Sequence, residues 1–187
     1  MQYWEDASLS VLKEIYAVDG VIGDLESVRL KLDLMIDGLW VQRNDDAAYA
    51  RHAWMIFGAM ARQLGKSAGF DIFSAGPDPV HDIVCRKQRD YGHQNIARFG
   101  RQGLMVRLHD KVARLENLLS SGQMPNNESV EDNIVDLVGY SCIAMMWEEG
   151  TFLLACNTST VAESNRALNK IPGVRGHLSL VTHNFVQ

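Results

Sequence analysis

From Ser129 to Gly150 the chain reads as one helix that is apolar almost all the way round. Ile134, Val135, Leu137, Val138, Ile143, Met145 and Met146 leave it no face to offer water, and a helix with that pattern is buried. Asp136 lies within this run. A buried carboxylate without partners is very costly, so Asp136 needs a cation or several donors. A metal ion is one solution. An ion pair to Arg107, Lys111 or Arg114 is the other.

The rest of the chain predicts further helices. Ser8 or Ser10 is placed to cap one that runs to about Val18, before Gly20 and Gly23. Asp24 caps a second to about Val41, with Leu25, Val28, Leu32, Met35, Ile36 and Leu39 as its apolar stripe. After a loop at Asn44-Asp45-Asp46 a third runs to about Leu64, with Tyr49, Ala53, Ile56, Phe57, Met60 and Leu64 as its stripe. Gly65 to Pro79 reads as a long loop, a connector or a mobile lid. A helix from about Pro79 carries Val80, Ile83, Val84 and Lys87 and stops at Tyr91-Gly92. Another spans about Gly103 to Ser120, with Leu104, Leu108, Val112, Leu115 and Leu119 in one sector. Ser121 to Asn127 is a loop. Thr160 and Glu163 resemble a capping box for a short helix to about Lys170, Pro172-Gly173 turns the chain, and Leu178 to Val186 reads as a strand or extended arm. The expected fold is all-α: a bundle of about five to seven helices with a less regular C-terminal tail. Residues 1–187 form one helical domain, with a site core at 86–147 and a C-terminal extension at 151–187.

Net charge is −5, which argues against duplex nucleic acid held on a broad basic surface but leaves room for a small anion in a local basic cluster. Cys85, Cys142 and Cys156 lack metal-type spacing, and an odd count suits a reducing compartment. No apolar run reaches the roughly 18–20 residues of a membrane span, and the acidic N-terminus has no signal-peptide core. These features predict a cytoplasmic protein. His81 and Cys85 are four apart, but no second pair supports a transition-metal site.

On the Gly103–Ser120 helix, Arg107, Lys111 and Arg114 form a stripe around Asp110, with Lys111 bordering the apolar seam. That stripe reads either as a solvated face of local ion pairs or as a phosphate site, in which Arg supplies bidentate contacts and Lys a point charge. Asp132 lies one turn before Asp136. It also stands three residues after Ser129, as the second half of a capping box. Glu131 points about 100° away from Asp132. Asp90-Tyr91-Gly92 closes a helix. There Gly92 is either a plain stop, or Tyr91 stacks on a base or sugar while Asp90 faces a metal or hydroxyl. His93 and His109 lie nearby in sequence.

These runs together resemble the nucleotide modification-associated helical domain of bacteriophages and bacteria. Its usual form has a DYG, a DK-x-x-RL helix and an ED-x-x-x-D helix. Here they stand as Asp90-Tyr91-Gly92, as Asp110-Lys111 with Arg114-Leu115, and as Glu131-Asp132 with Asp136, over roughly Arg86 to Trp147. The resemblance implies a helical domain linked to nucleotide metabolism, in a host cytoplasm if phage-encoded. More loosely, the pattern is similar to MazG-type nucleoside triphosphate pyrophosphohydrolases, which hold magnesium on helix-borne carboxylates. Their E-E-x-x-E box has no counterpart here.

The leading expectation is a Mg2+-dependent nucleotide-binding protein acting as a pyrophosphohydrolase. Asp136, Asp132 and Asp110 would hold the metal, Arg107, Lys111 and Arg114 the phosphates, and Tyr91 and Asp90 the rest of the substrate. Glu131 is the candidate general base. The alternatives are a non-catalytic nucleotide binder and a structural helical adaptor whose polar cluster is a buried ion network. A homo-oligomer is expected for either nucleotide reading; the stripe on residues 25–39 is either its interface or intrachain core.

Overall fold

The expected central burial of the 129–150 helix organises the observed architecture. In a computed structural model, which describes residues 2–43, 45–121 and 128–157, the helix α7 (Val130–Glu148) packs on four others. These are α1 (Trp4–Ala17), α3 (Ala47–Ser67), α4 (Asp78–Tyr91) and α6 (Gly100–Ser121). Its broadest contacts are with α3 and then α6. Neighbours on every side explain why its sequence has no polar stripe. Helix α2 (Leu25–Met35) lies against α3 and α6, and a short helix α5 (Gln94–Ala97) precedes α6. Among the described residues every regular element is helical, and none is long and apolar enough to cross a membrane. The helices belong to a unit spanning Met1–Ala155; Cys156–Gln187 forms a second unit. The expected helix at 160–170, the Pro172-Gly173 turn and the strand or arm at 178–186 lie outside the described residues, as does most of the 121–127 loop.

Three caps form as their residues dictate. Asp24 accepts from the Ser27 N–H at 2.7 Å, Asp46 accepts from the Ala48 and Tyr49 N–H groups, and Ser129 makes a reciprocal box with Asp132. Helix α1 starts at Trp4, ahead of the expected Ser8 or Ser10. The Trp4 side chain is buried and its backbone N–H donates to Ala155 O at 3.0 Å, so the chain is fixed before Ser8 is reached.

The stripe of α2 is used inside the chain, where Val28, Leu32, Met35 and Leu39 are buried. The α-helix ends at Met35, and Ile36–Val41 continues as a wider π-turn segment.

The buried face of α3 is rotated from the expected one. Tyr49 is exposed, while Ala50, Ala53, Trp54, Phe57, Gly58, Ala61 and Gly65 face inward. Close approach to α7 is the reason. A Cβ on Gly58 would fall 2.9 Å from the Ser141 Cβ, so this seam selects small residues over large apolar ones.

The Gly65–Pro79 segment is more structured than the expected long loop and is anchored at Phe73. Helix α3 continues to Ser67, a 3-10 turn spans Asp71–Phe73, and the buried Phe73 ring sits where a Cβ on Gly65 would be.

On α6, Leu104, Met105, Leu108, Val112 and Leu115 are buried, but Leu119 is exposed near the helix end.

Candidate functional site

Asp136 is buried, as the apolar helix around it requires, and two lysines hold it. Lys87 of α4 pairs with one oxygen, and Lys111 of α6 pairs with the other at 2.9 Å. The ion-pair solution to its burial is therefore the observed one. Lys111 was among the expected partners; Lys87 was not. Lys111 also bonds Glu128 at 2.6 Å, and Arg114 approaches the same carboxylate at 3.4 Å. Burial opposes the Lys111 charge, but hydrogen bonds to Glu128 and Asp136 outweigh it and hold its pKa above the ordinary lysine value.

The basic stripe does not act as one unit. Lys111 and Arg114 turn to Glu128, whereas Arg107 donates to Asn95 on α5 and lies 5.9 Å over the Tyr140 ring. Two of the three cations are thus matched by acids, which weakens the case for the stripe as a polyphosphate cradle.

The expected acidic trio is likewise spread out. Asp132 is engaged in its cap, accepting from the Ser129 hydroxyl at 2.7 Å. That hydrogen bond and the Ser129 backbone N–H hold its carboxyl below the usual range, with a smaller pull from Lys87 and Lys111. Asp110 is exposed on a different groove, beside Trp40, Phe99 and Val106. Glu131 is half-buried in the first turn of α7, and Asp90 is exposed at the end of α4. Among the described residues no group of three His, Cys, Asp or Glu side chains is arranged to hold a metal ion. The described carboxylates do not fit a preformed three-ligand magnesium site.

What the fold does build around Asp136 is a cleft between α4, α5 and α7. Ile83, Val84, Val135, Gly139 and Ile143 give it apolar walls, and Lys87, Gln88, Tyr91, Asn95, Asp136 and Tyr140 give it polar groups. The space open between its walls is narrow, about 40 Å³, room for roughly three water molecules, so a larger ligand has to part the walls as it enters. Its shape has local causes. Val80, Val84 and Gln88 recur every four residues on α4 and turn inward together, with Lys87 at the edge. Gly139 lets α4 come close, since a Cβ there would meet Val84 at 3.0 Å. Gly92 ends α4 with φ +65°, a conformation that costs glycine little and turns the chain into α5. Tyr91 is left exposed at the cleft mouth.

Sequence reasoning reached Asp136, Lys111 and Tyr91 but missed Lys87, Gln88, Asn95 and Tyr140 as site residues. A signal did exist for two of them. Lys87 and Gln88 continue the apolar positions Ile83 and Val84 by one turn, where a cation and an amide are out of place without partners.

Of the remaining polar candidates, His81, Cys85 and His93 have structural partners. His81 and Cys85 do meet, at 3.2 Å, but the same ring nitrogen lies 3.0 Å from both the Ser8 hydroxyl and Glu5 O, and burial pushes the Cys85 thiol up to about 11. That cluster joins α1 to α4. His93 lies 3.1 Å from Leu154 O and edge-on to Phe152, and His109 is exposed.

No curated protein and no solved structure matches the chain. A family comparison does, and it falls on this region. The resemblance carried by the DYG, DK-x-x-RL and ED-x-x-x-D runs is borne out: residues 87–147, from Lys87 on α4 to Trp147 on α7, match the family described as nucleotide modification associated domain 1.

Proposed function

We propose that the cleft between α4, α5 and α7 binds a nucleotide, and that this chain is a nucleotide-binding component of nucleotide metabolism or DNA modification that does no chemistry itself. The observation that carries this reading is that all but two of the cleft's lining residues fall in the segment matching the nucleotide modification family. Apolar walls suit a base, and Tyr91 and Tyr140 offer aromatic faces to stack on. Lys87 is half-exposed at the rim beside Lys111 and supplies positive charge for a phosphate. The commitment of Asp136 to two lysines and of Asp132 to its cap favours binding over hydrolysis.

Calorimetric titration of the full chain with the common nucleoside mono- and triphosphates tests this. Binding without turnover is the expected result; no binding by any of them removes the reading.

A second reading, Mg2+-dependent pyrophosphate release, has one observation in its favour. Asp132 is near enough to Lys87 and Lys111 to feel their charge, so a metal-loaded triphosphate would meet two carboxylates on one stretch of α7. Pyrophosphate released from a triphosphate with Mg2+, and abolished in Asp136→Asn, would establish it over simple binding.

A further inference from the structure

Gln88 is 5 % exposed, and its side-chain nitrogen has no hydrogen-bond partner among the described residues. A buried donor left unpaired is costly, and such groups are rare in folded proteins. The position does not call for an amide. Gln88 continues the inward row Val80–Val84 on α4, where leucine would pack without that cost. Other buried polar atoms also lack partners, on Trp4, Tyr16, Arg62, Arg89 and Asn133, but none of those residues lines the cleft. The other amide there, Asn95, already has its oxygen engaged by Arg107.

From this we infer that Gln88 is the residue that reads the base. The inference rests on the nucleotide-binding reading of the cleft. A carboxamide sets a donor and an acceptor side by side in one plane. Nucleobase edges present the complementary pair of adjacent acceptor and N–H donor, whereas a phosphate presents acceptors only. The terminal amide torsion is soft, so the covered group turns to meet a ring that parts the apolar walls as it enters. Those walls favour a flat, weakly polar ring over a polyphosphate, which would be desolvated there. The ligand is therefore oriented base inward, with its sugar and phosphate toward Lys87 at the rim.

The test is calorimetric titration of the wild-type chain, Gln88→Leu and Gln88→Glu with the five common nucleosides, their monophosphates and inorganic tripolyphosphate. For the nucleoside that the wild type binds best, Gln88→Leu weakens binding by about tenfold or more, while its thermal midpoint equals or exceeds the wild type's. Gln88→Glu keeps the shape, replaces the donor with an acceptor, and loses the same nucleoside. Tripolyphosphate affinity in Gln88→Leu stays that of the wild type. Nucleoside affinity within about twofold of wild type in either folded variant overturns the inference but not the binding reading. Parallel loss of nucleoside and tripolyphosphate in both variants also overturns it. A wild type that binds none of the probes removes the binding reading, and the inference with it.

Discussion

Helix α7 buries one acid, Asp136, in its N-terminal half and another, Glu148, at its C-terminal end, and the two are handled differently. Glu148 is fixed by Arg101, which donates from Nε at 2.8 Å and from Nη2 at 2.7 Å, and the Trp54 indole N–H adds a third bond at 3.2 Å. Both side chains are largely enclosed, at 4 % and 13 % exposure. Asp136 is held by two lysines, of which Lys87 is 46 % exposed, and it faces a cleft. An arginine fork is planar and committed to its carboxylate; an ammonium on a four-carbon stem is a mobile point charge. The first arrangement locks the α6–α7 seam. The second leaves charge that a ligand can recruit. The same helix thus shows what a buried acid looks like in a structural role and what it looks like beside a candidate site.

The sharpest way to break this contrast is to remove one partner of each pairing. Arg101→Met strands Glu148 in the core and is expected to lose about 3 kcal/mol in urea unfolding, without changing nucleotide affinity per folded molecule. Asp136→Asn leaves two lysines that still reach solvent or Glu128, so its expected loss is smaller, about 1–2 kcal/mol, accompanied by altered nucleotide binding. If Asp136→Asn proved as destabilising as Arg101→Met and left binding untouched, the two acids would be equivalent and the cluster would be a structural ion network.

Lys87→Met sharpens the contrast from the other side. A half-exposed lysine contributes below about 1 kcal/mol to stability. The expected signature is a weaker grip on monophosphates, by about tenfold, with nucleoside affinity unchanged, read by calorimetry.

The smallest expected effect is in the pH profile. The raised Lys111 contributes stability that is present below the ordinary lysine value of 10.5 and fades as pH climbs through its raised value. The lowered Asp132 contributes stability that is present above 3.8 and fades as pH falls through its lowered value. Urea midpoints measured across pH should show these two losses only at the extremes. In Lys111→Met the alkaline loss should shrink, and in Asp132→Asn the acid one.

How far the sequence reveals this follows from the range of each interaction. The caps at Asp24, Asp46 and Ser129 are legible because a side chain and its target N–H lie two or three residues apart. The burial of α7 is legible because all its sides are apolar, and the need of Asp136 for a cation follows from that burial alone. Which cation answers is not local. Lys87 arrives from 49 residues away on α4, and periodicity marks it only as a stripe member of the wrong polarity. The stripe Arg107, Lys111 and Arg114 misleads for the same reason. Helical geometry gives their common side, but their partners, Asn95 and Glu128, come from outside α6 and divide the group. Small residues conceal the α3–α7 seam, since Gly58 and Ala61 carry little apolar signal, yet this seam is the most extensive between any two helices of the unit.

The most direct test of the central claim, that the α4–α5–α7 cleft takes the nucleotide, is an amide NMR titration of the full chain with the tightest-binding of the five common mononucleotides. The predicted result is saturable shifts at the Gln88 side-chain amide and at backbone amides of residues 83–96 and 135–143. Shifts confined to the Trp40–Phe99–Val106 groove, or none at saturating nucleotide, would contradict it.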